Sequence, residues 1–265
     1  TFDYWSVSGN LIFSRLLDAD WLLFGKVRAN YGIVGNDTDP YRVFNTYTIN
    51  TPFNGGSASN NSSLNNLNLL PEEQKNWEIG LEMTFVDRRV GFDVSYYNAE
   101  NINQITPVPV SNSTGYGSAW LNAGTIANKG WEVQLNLVPI KTDDFKWDLT
   151  VNWSTNESEV IKLREGIDNL VLASVQGGVS INASVGEPYG TIRGKDIVYH
   201  EGTGQPIVKA NGNYQLTSDN NHVIGDINAD WLGGVYNSFT YKNFNLGFLI
   251  DVQEGGSVFS LDTWY

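Results

Sequence analysis

Carboxylates and histidines are the residues of this chain whose types could support catalysis. Glu78 and Glu82 lie four positions apart, and a pair of carboxylates serves as acid and nucleophile in many glycosidases. His200 and His222 are the only histidines, and their spacing suits neither a shared metal site nor a catalytic triad. The histidines therefore indicate no catalysis, and the meaning of the carboxylates depends on the elements that carry them.

Two segments rich in Asp and Asn are similar to the beginning of a calcium-binding loop. After segment 226–230, DINAD, the next residue is Trp231 where a calcium loop needs glycine, and no glutamate occupies the distal ligand position. We therefore predict a turn that leads into a strand. Segment 36–40, NDTDP, is interpreted in the same way, with a loop cation left open. The sequence predicts no metal centre, no cofactor and no enzymatic activity.

The composition excludes further classes of function. The 265 residues contain no cysteine, which excludes disulfides, thiolate metal sites and a cysteine nucleophile. A net charge of −13 argues against a nucleic-acid partner, because phosphate binding needs a basic surface. Charged residues are 17% of the chain, against about a quarter in soluble domains, and aromatic residues are 13%. The length allows one large all-β domain or two smaller ones.

The carboxylates lie in four stretches that alternate apolar and polar residues, namely 77–85, 90–97, 131–137 and 145–154. Successive side chains of a strand point to opposite faces, so these stretches predict a sheet with one apolar and one polar face. None of the eighteen residues on the apolar face is charged. The polar face carries the carboxylates, which we expect to line a water-filled lumen, partly offset by Lys146. The predicted lumen-facing residues are Glu78, Glu82, Asp93, Glu132 and Asp148.

Short and long connections alternate along the chain. Predicted strands come in pairs across short polar turns: 3–17 with 21–35, 77–85 with 90–97, 131–137 with 145–156, and 231–241 with 244–252. The segments 36–76, 98–129 and 157–187 between the pairs are far longer than ordinary loops. All long loops must therefore emerge at one end of the sheet, as in outer-membrane barrels. We also predict a hairpin from 189–199 and 206–216, and one helical turn at 71–74, where Pro71 suits the first helical position.

Aromatic residues lie at both ends of the apolar face. Nine residues of a strand from Trp77 to Phe85 extend about 27 Å, which gives a band roughly 20 Å tall at a tilt of about 40°. That height is close to the ~25 Å apolar belt of membrane barrels, where a charge costs about 2–4 kcal/mol at the midplane. The pattern favours lipid over a protein core. The aromatic residues are Trp77, Tyr96, Trp131 and Trp153 at the long-loop end and Phe85, Phe92 and Phe145 near the turns.

Two aromatic residues of the loop 111–127 are candidates for contact with a ligand. Tyr116 and Trp120 are predicted to bind substrate, because sugars and peptides stack on such rings. The alternative is that both rings pack within the loop.

Several segments resemble the SusC/RagA class of TonB-dependent outer-membrane transporters. They are WLLFGKVRANYGIVGNDTDPY (21–41), LLPEEQKNWEIGLEMTFVDRRVGFDVSYYN (69–98), NAGTIANKGWEVQLNLVPIKTDDFKWDLTVNWSTNESEVIKL (122–163), VGEPYGTIRGKDIV (185–198) and VIGDINADWLGGVYNSFTYKNFNLGFLIDVQEGGSVFS (223–260). The resemblance runs over nearly the whole chain in consistent order. It is specific for the family and uninformative about the substrate.

The resemblance implies an all-β fold, an antiparallel transmembrane β-barrel segment that is part of a 22-stranded barrel. It implies import of oligosaccharides or peptides across the outer membrane of a Gram-negative, Bacteroidota-type bacterium, with a SusD-like surface lipoprotein as lid and TonB as the source of energy. Residues 1–265 are expected to be a partial barrel domain, an internal piece without the plug, the TonB-contacting segment and the last strands.

Two alternatives from other classes remain at this point. The first is a secreted β-sandwich that binds or cleaves carbohydrate, with the apolar face packed in its core. The second is an outer-membrane barrel with a structural or secretion role and no TonB coupling.

Overall fold

The computed structural model describes residues 3–17, 19–50, 57–260 and 262. Within them, four 3₁₀ turns occur at Phe13–Arg15, Val86–Arg88, Asn112–Thr114 and Gln176–Gly178. No helix among these residues is long and apolar enough to cross a membrane. The strands are β1 (Ser6–Leu11), β2 (Leu22–Asn36), β3 (Tyr47–Asn50), β4 (Ser57–Asn60), β5 (Ser63–Leu64), β6 (Glu72–Phe85), β7 (Val90–Ile102), β8 (Ile105–Pro109), β9 (Ser118–Asn122), β10 (Gly124–Lys141), β11 (Phe145–Ser154), β12 (Glu157–Leu163), β13 (Asn169–Val175), β14 (Val179–Ser184), β15 (Thr191–Gly194), β16 (His222–Asp226), β17 (Ala229–Tyr241) and β18 (Phe244–Gly255).

One large antiparallel sheet carries the long strands. Its order is β1-β2-β6-β7-β10-β11-β17-β18, and β12 pairs with β10 beside this path. Each strand therefore neighbours the next long strand in the sequence, which is the meander of an up-and-down barrel. The antiparallel barrel-type fold predicted from the alternating stretches is confirmed, as an open segment rather than a closed barrel.

The alternation of short and long connections is confirmed. Segments 86–89, 142–144 and 242–243 close three pairs at one end of the sheet. Segments 37–71, 103–123 and 155–228 join the pairs at the opposite end. The turn predicted at 18–20 includes Asp18, which lies outside the described residues. The connection it belongs to runs from Ile12 to Trp21.

The long connections fold into small sheets of their own. β3 pairs with β4, β5-β9-β8 form a three-stranded sheet, and β13-β14-β15-β16 form a four-stranded one. The cluster of buried apolar residues also lies at this end, and it joins several connections. Its members are Val108, Ala123, Val160, Leu170 and Ala183. We call these five residues the loop core. This cluster of the described chain thus lies at the long-loop end, where β12 contributes Val160 beside β10.

The apolar face of the large sheet is uncovered. None of its eighteen residues in the four alternating stretches is buried, and Ile79 and Trp131 are 54% and 47% exposed. Leu81, Val94 and Leu135 are partly exposed in the middle of their strands. A sheet of this kind lacks the second layer that a soluble domain would pack against it.

Aromatic rings form a row at each end of the apolar face. At the long-loop end, the ring of Tyr96 lies between Trp77 and Trp131, with centroid distances of 5.4 and 4.9 Å. At the turn end, Phe85 contacts Phe92 with a centroid distance of 5.9 Å. The placement of aromatic residues at both ends, expected from the sequence, is confirmed for these rings. Further members are Trp5 and Tyr31 in the first row and Trp21, Phe145, Trp147, Phe239 and Phe248 in the second.

Two local predictions are wrong. The helical turn at 71–74 is instead the start of β6, because β2 continues to Asn36 and pairs with Glu72. The Glu72 carboxylate also accepts hydrogen bonds from the Asn36 side chain (2.7 Å) and the Ile105 backbone N–H (2.7 Å). The first strand ends at Leu11 rather than residue 17, since the chain turns and lays the Phe13 ring against Gly25.

The hairpin predicted from 189–199 and 206–216 is confirmed around its turn but not over its full length. His200 N–H donates to the carbonyl of Gln205 and Ile207 N–H to the carbonyl of Val198, each at 2.9 Å, and Tyr199 pairs with Pro206. Thr191–Gly194 pairs with β14 and β16 instead. Isolated bridges also join Ile197 to Leu216 and Val208 to Tyr214. The segment belongs to the long connection above the sheet and adds no strand to the wall.

Candidate functional site

The register of the sheet places mostly polar residues, with glycines and Leu232 among them, in continuous rows across the strands. The strand pairings join directly opposed residues from β2 to β18, and every second residue of a strand faces the same side. The first row is Arg28, Gly80, Ser95, Glu132, Ser154, Leu232 and Gln253. The second row is Lys26, Glu82, Asp93, Gln134, Asn152, Gly234 and Asp251. We call these two rows together the polar wall.

Small residues in the polar wall leave a hollow of about 790 Å³. Ser95, Ser154 and Gly234 are among the residues that line it. The lining comes from β2, β7, β10, β11, β17 and β18, so a single depression touches strands from almost the full width of the sheet. The polar face is therefore concave, and the apolar face with its two aromatic rows is convex.

Arg28 is held over the neighbouring strand by two carboxylates. Its Nη1 and Nη2 atoms each donate a hydrogen bond of 2.8 Å to Asp93, two strands away, and Nε lies 3.4 Å from Glu78. A Cβ atom at Gly80 would lie 2.5 Å from the guanidinium, so only glycine leaves room for this crossing. The bidentate geometry is the strongest form of an arginine–carboxylate pair. The positive charge of Arg28 is consequently neutralised within the wall.

Two further cations of the polar face are also paired. Lys26 forms an ion pair with Glu82 on the neighbouring strand, and Lys146 lies 2.7 Å from Asp148 on its own strand. Among the described residues, Glu132 has no ion pair or side-chain hydrogen bond, and the same is true of Asp251 on β18. The five carboxylates predicted to line a lumen thus share one concave face. That this face borders a lumen stays a prediction.

Tyr116 and Trp120 lie at the long-loop end, apart from the polar wall. Trp120 on β9 is partly buried, and the guanidinium of Arg42 lies 4.3 Å from its ring centroid. Its indole Nε1 is buried without a hydrogen-bond partner among the described residues. Tyr116 lies in the connection between the 3₁₀ turn Asn112–Thr114 and β9, and it is partly exposed. Contact of either ring with a substrate stays a prediction.

The segment 226–230 forms a turn, as the sequence predicted. Asp226 Oδ1 accepts hydrogen bonds from the backbone N–H and the side-chain Nδ2 of Asn228, at 2.8 and 2.6 Å. The Asn228 side chain also donates to the carbonyl oxygen of Tyr189 (2.8 Å), which ties the turn to the chain before β15. In the described part of the chain, no cluster of three or more His, Asp and Glu side chains is arranged to hold a metal ion.

A charged pair stabilises the four-stranded sheet of the long connection. Arg193 Nη2 on β15 donates to Glu187 at 2.6 Å and to Ser184 Oγ at 3.0 Å. Burial alone would raise the pKa of Glu187. The hydrogen bond and the charge of Arg193 outweigh burial, and Ser184 and Thr191 add further hydrogen bonds, so the pKa lies below its usual value. Glu187 is therefore a structural carboxylate of the loops.

The fold and the chain's relatives agree on one family. A family model for the TonB dependent receptor-like β-barrel matches residues 1–245. The chain belongs to this family. It is 29% identical over 260 residues to TonB-dependent receptor P26 of Formosa agariphila, covering 89% of this chain and 26% of that protein. It is 28% identical over 265 residues to SusC of Bacteroides thetaiotaomicron, covering 92% and 26%.

Solved structures support the same fold for this member of the TonB-dependent receptor family. The RagAB peptide transporter superposes with a TM-score of 0.77 at 20% identity, over 94% of this chain and 29% of the solved one. The RagAB peptide importer in the closed-closed state gives 0.79 at 20% identity, over 96% and 29%. The chain spans about a quarter of the length of the relatives it matches. Together with the single uncovered sheet, these matches exclude the β-sandwich alternative.

The sequence did not indicate that Arg28 crosses over Gly80 on the polar face. Arg28 and Gly80 are separated by 52 positions, and only the register of β2 against β6 brings them together. Asp251 and Gln253 were also missed as wall residues. The signal for them exists in the alternation of β18, where Asp251 and Gln253 follow Leu249 on one face while Leu246, Phe248, Ile250 and Val252 share the other.

Proposed function

We propose that this chain supplies part of the wall of a TonB-dependent importer in the outer membrane of a Bacteroidota-type Gram-negative bacterium. The observation that carries the proposal is the pair of faces of one curved sheet. The convex face is apolar, uncovered and bounded by aromatic rows, whereas the concave face is polar and ion-paired. Lipid on the convex side and water on the concave side satisfy both faces at once.

The cargo that we propose is an oligosaccharide or a peptide. Membership in the TonB-dependent receptor family supports energised uptake. The chain is similar to SusC and, in fold, to the RagAB peptide transporter. A SusD-like lipoprotein at the long-loop end and TonB at the opposite side of the membrane are the proposed partners. The rings of Tyr116 and Trp120 are the proposed loop contacts with the cargo, since both lie at the long-loop end.

Uptake by cells tests this proposal. The gene that encodes the full protein is deleted from the native bacterium, and growth is measured on oligosaccharides and peptides as sole nutrients. We expect growth to be lost on a restricted subset and restored by the intact gene only while TonB is functional. Growth that is unchanged on every nutrient, or restored without TonB, would contradict the importer. A protein recovered in the soluble fraction without detergent would contradict the membrane location.

A further inference from the structure

The polar wall has an excess of negative charge at its hollow. Its two rows contain four carboxylates and two cations, and both cations are engaged in ion pairs. Lys26 neutralises Glu82, and Arg28 neutralises Asp93. The charges that remain are those of Glu132 and Asp251, which lie among the residues that line the hollow.

Unused hydrogen-bonding groups lie beside these two carboxylates. The side-chain amides of Asn152 and Gln253 line the hollow and have no side-chain partner among the described residues. Glu132 and Asp251 are three strands apart and one row apart, which is about 16 Å along the sheet at ~4.8 Å per strand and ~3.4 Å per residue. This separation is too large for both carboxylates to hold one small ion. It suits an extended solute with positive charges along its length and polar groups between them.

We propose that the hollow is a subsite for solutes that carry ammonium or guanidinium groups, and that Glu132 and Asp251 determine this specificity. The inference rests on the proposed function, in which the concave face borders the path of the solute. A cleft lined by charge of one sign, with a low-dielectric wall behind it, focuses the field and concentrates ions of opposite sign. Lipid on the convex face supplies that low-dielectric wall. Anionic solutes are disfavoured by the same field.

The local potential can be measured without knowledge of the natural solute. The full-length protein is purified in detergent with Asn152→Cys as its only cysteine and labelled with a small fluorophore at the hollow. Collisional quenching is measured separately with thallium(I) in nitrate buffer, with iodide and with neutral acrylamide. We expect a thallium-to-iodide quenching ratio about sevenfold or more above that of the free dye, because a potential of one kT enriches the cation and depletes the anion about 2.7-fold each.

Charge variants assign this effect to its residues. The E132Q/D251N pair is expected to bring the ratio back to that of the free dye, and about 1 M salt is expected to do the same because the Debye length falls to about 3 Å. D148N is the matched control. It removes a carboxylate from the same face, but Asp148 lies four residues from Asn152 and is paired with Lys146. The ratio in this control is expected to stay near its original value.

Three results would overturn the inference. They are a ratio equal to that of the free dye, a raised ratio that survives E132Q/D251N, and a label that acrylamide cannot reach. Uptake of a neutral nutrient by the same variants separates this inference from the proposed function. A quenching ratio equal to that of the free dye, in a protein that still imports the neutral nutrient, contradicts only the subsite. A negative hollow in a protein without any uptake contradicts only the importer.

Discussion

The guanidinium of Arg28 on β2 reaches over Gly80 on β6 and forms two 2.8 Å hydrogen bonds with Asp93 on β7. One side chain thereby connects three adjacent strands on the concave face. The pair is partly exposed, so water weakens it relative to a buried pair. Its bidentate geometry nevertheless distinguishes it from an ordinary surface contact.

A double-mutant cycle should measure this connection. R28M, D93N and the double variant are expected to give a coupling free energy of about 1 kcal/mol, at the upper end for partly exposed pairs. Lys146 and Asp148 form the control pair, because both lie on β11 and connect no strands. We expect about 0.3 kcal/mol or less for that control. Urea unfolding in micelles provides the free energies, and equal coupling in the two cycles would refute the structural role of Arg28.

The two faces of β10 should respond oppositely to a new charge. Leu135 lies on the convex apolar face and Gln134 beside it on the concave polar face. L135R is expected to destabilise the folded barrel by about 2–4 kcal/mol, because the charge enters hydrocarbon. Q134R should cost far less, since the arginine extends into water. The fraction of folded protein in the outer membrane, read from its heat-modifiable gel mobility, compares them. Equal losses would show that lipid does not cover the convex face.

The Glu187–Arg193 pair should make the loops sensitive to acid. The pKa of Glu187 is lower in the folded chain than its ordinary value of 4.5, so its ionised form stabilises the fold. This contribution is fully present above pH 4.5 and is lost as the pH falls through the lower folded value. Hydrogen exchange of the β14 and β15 amides should show that loss. E187Q is expected to reduce their protection about tenfold at neutral pH, as for a charged hydrogen bond worth about 1.5 kcal/mol.

Glu201 provides the control for this pH effect. It is exposed in the turn between residues 200 and 205, away from Arg193. E201Q should leave the protection of β14 and β15 and its dependence on pH unchanged. A protection profile of E187Q that still declines with acid, as in the unmodified protein, would assign the effect to another group.

The loop core should unfold separately from the wall. Val160 is fully buried there, against other apolar residues of the long connections. V160A is expected to cost about 1–3 kcal/mol through lost burial and a small cavity. The loops should then become sensitive to external protease while the sheet keeps its heat-modifiable mobility. V94A on the convex face is the control, and it should leave the loops resistant. Simultaneous loss of loops and wall in V160A would show one cooperative unit instead.

The wall was predictable from the sequence because its physics is repetitive. The alternation of apolar and polar residues predicts which side of the sheet faces water, and β6, β7, β10 and β11 each show it independently. The alternation of short and long connections predicted the two ends of the sheet in the same way. Gly80, the glycine beneath Arg28, is a single exception to the pattern. Its role could not be predicted from one strand, because only the register of β2 against β6 places it opposite Arg28.

The loops were less predictable for a related reason. Residues 189–216 alternate weakly, and their pairing depends on partners such as β14 and β16 that are distant or equally short. The start of β6 shows the same limitation. Pro71 suits a helix locally, but the continuation of β2 to Asn36 offered a backbone partner that no local signal reveals.

β10 has a consequence for motion, because its eighteen residues belong to both halves of the molecule. Its second half pairs with β11 in the wall, while its first half pairs with β12 and adjoins the loop core. Its pairing with β7 runs from Ile126 to Leu137 without a shift in register, so the hydrogen-bonded ladder passes from the loops into the wall uninterrupted. Movement of the outer region is therefore expected to displace the wall strands with it rather than to pivot about a break in β10.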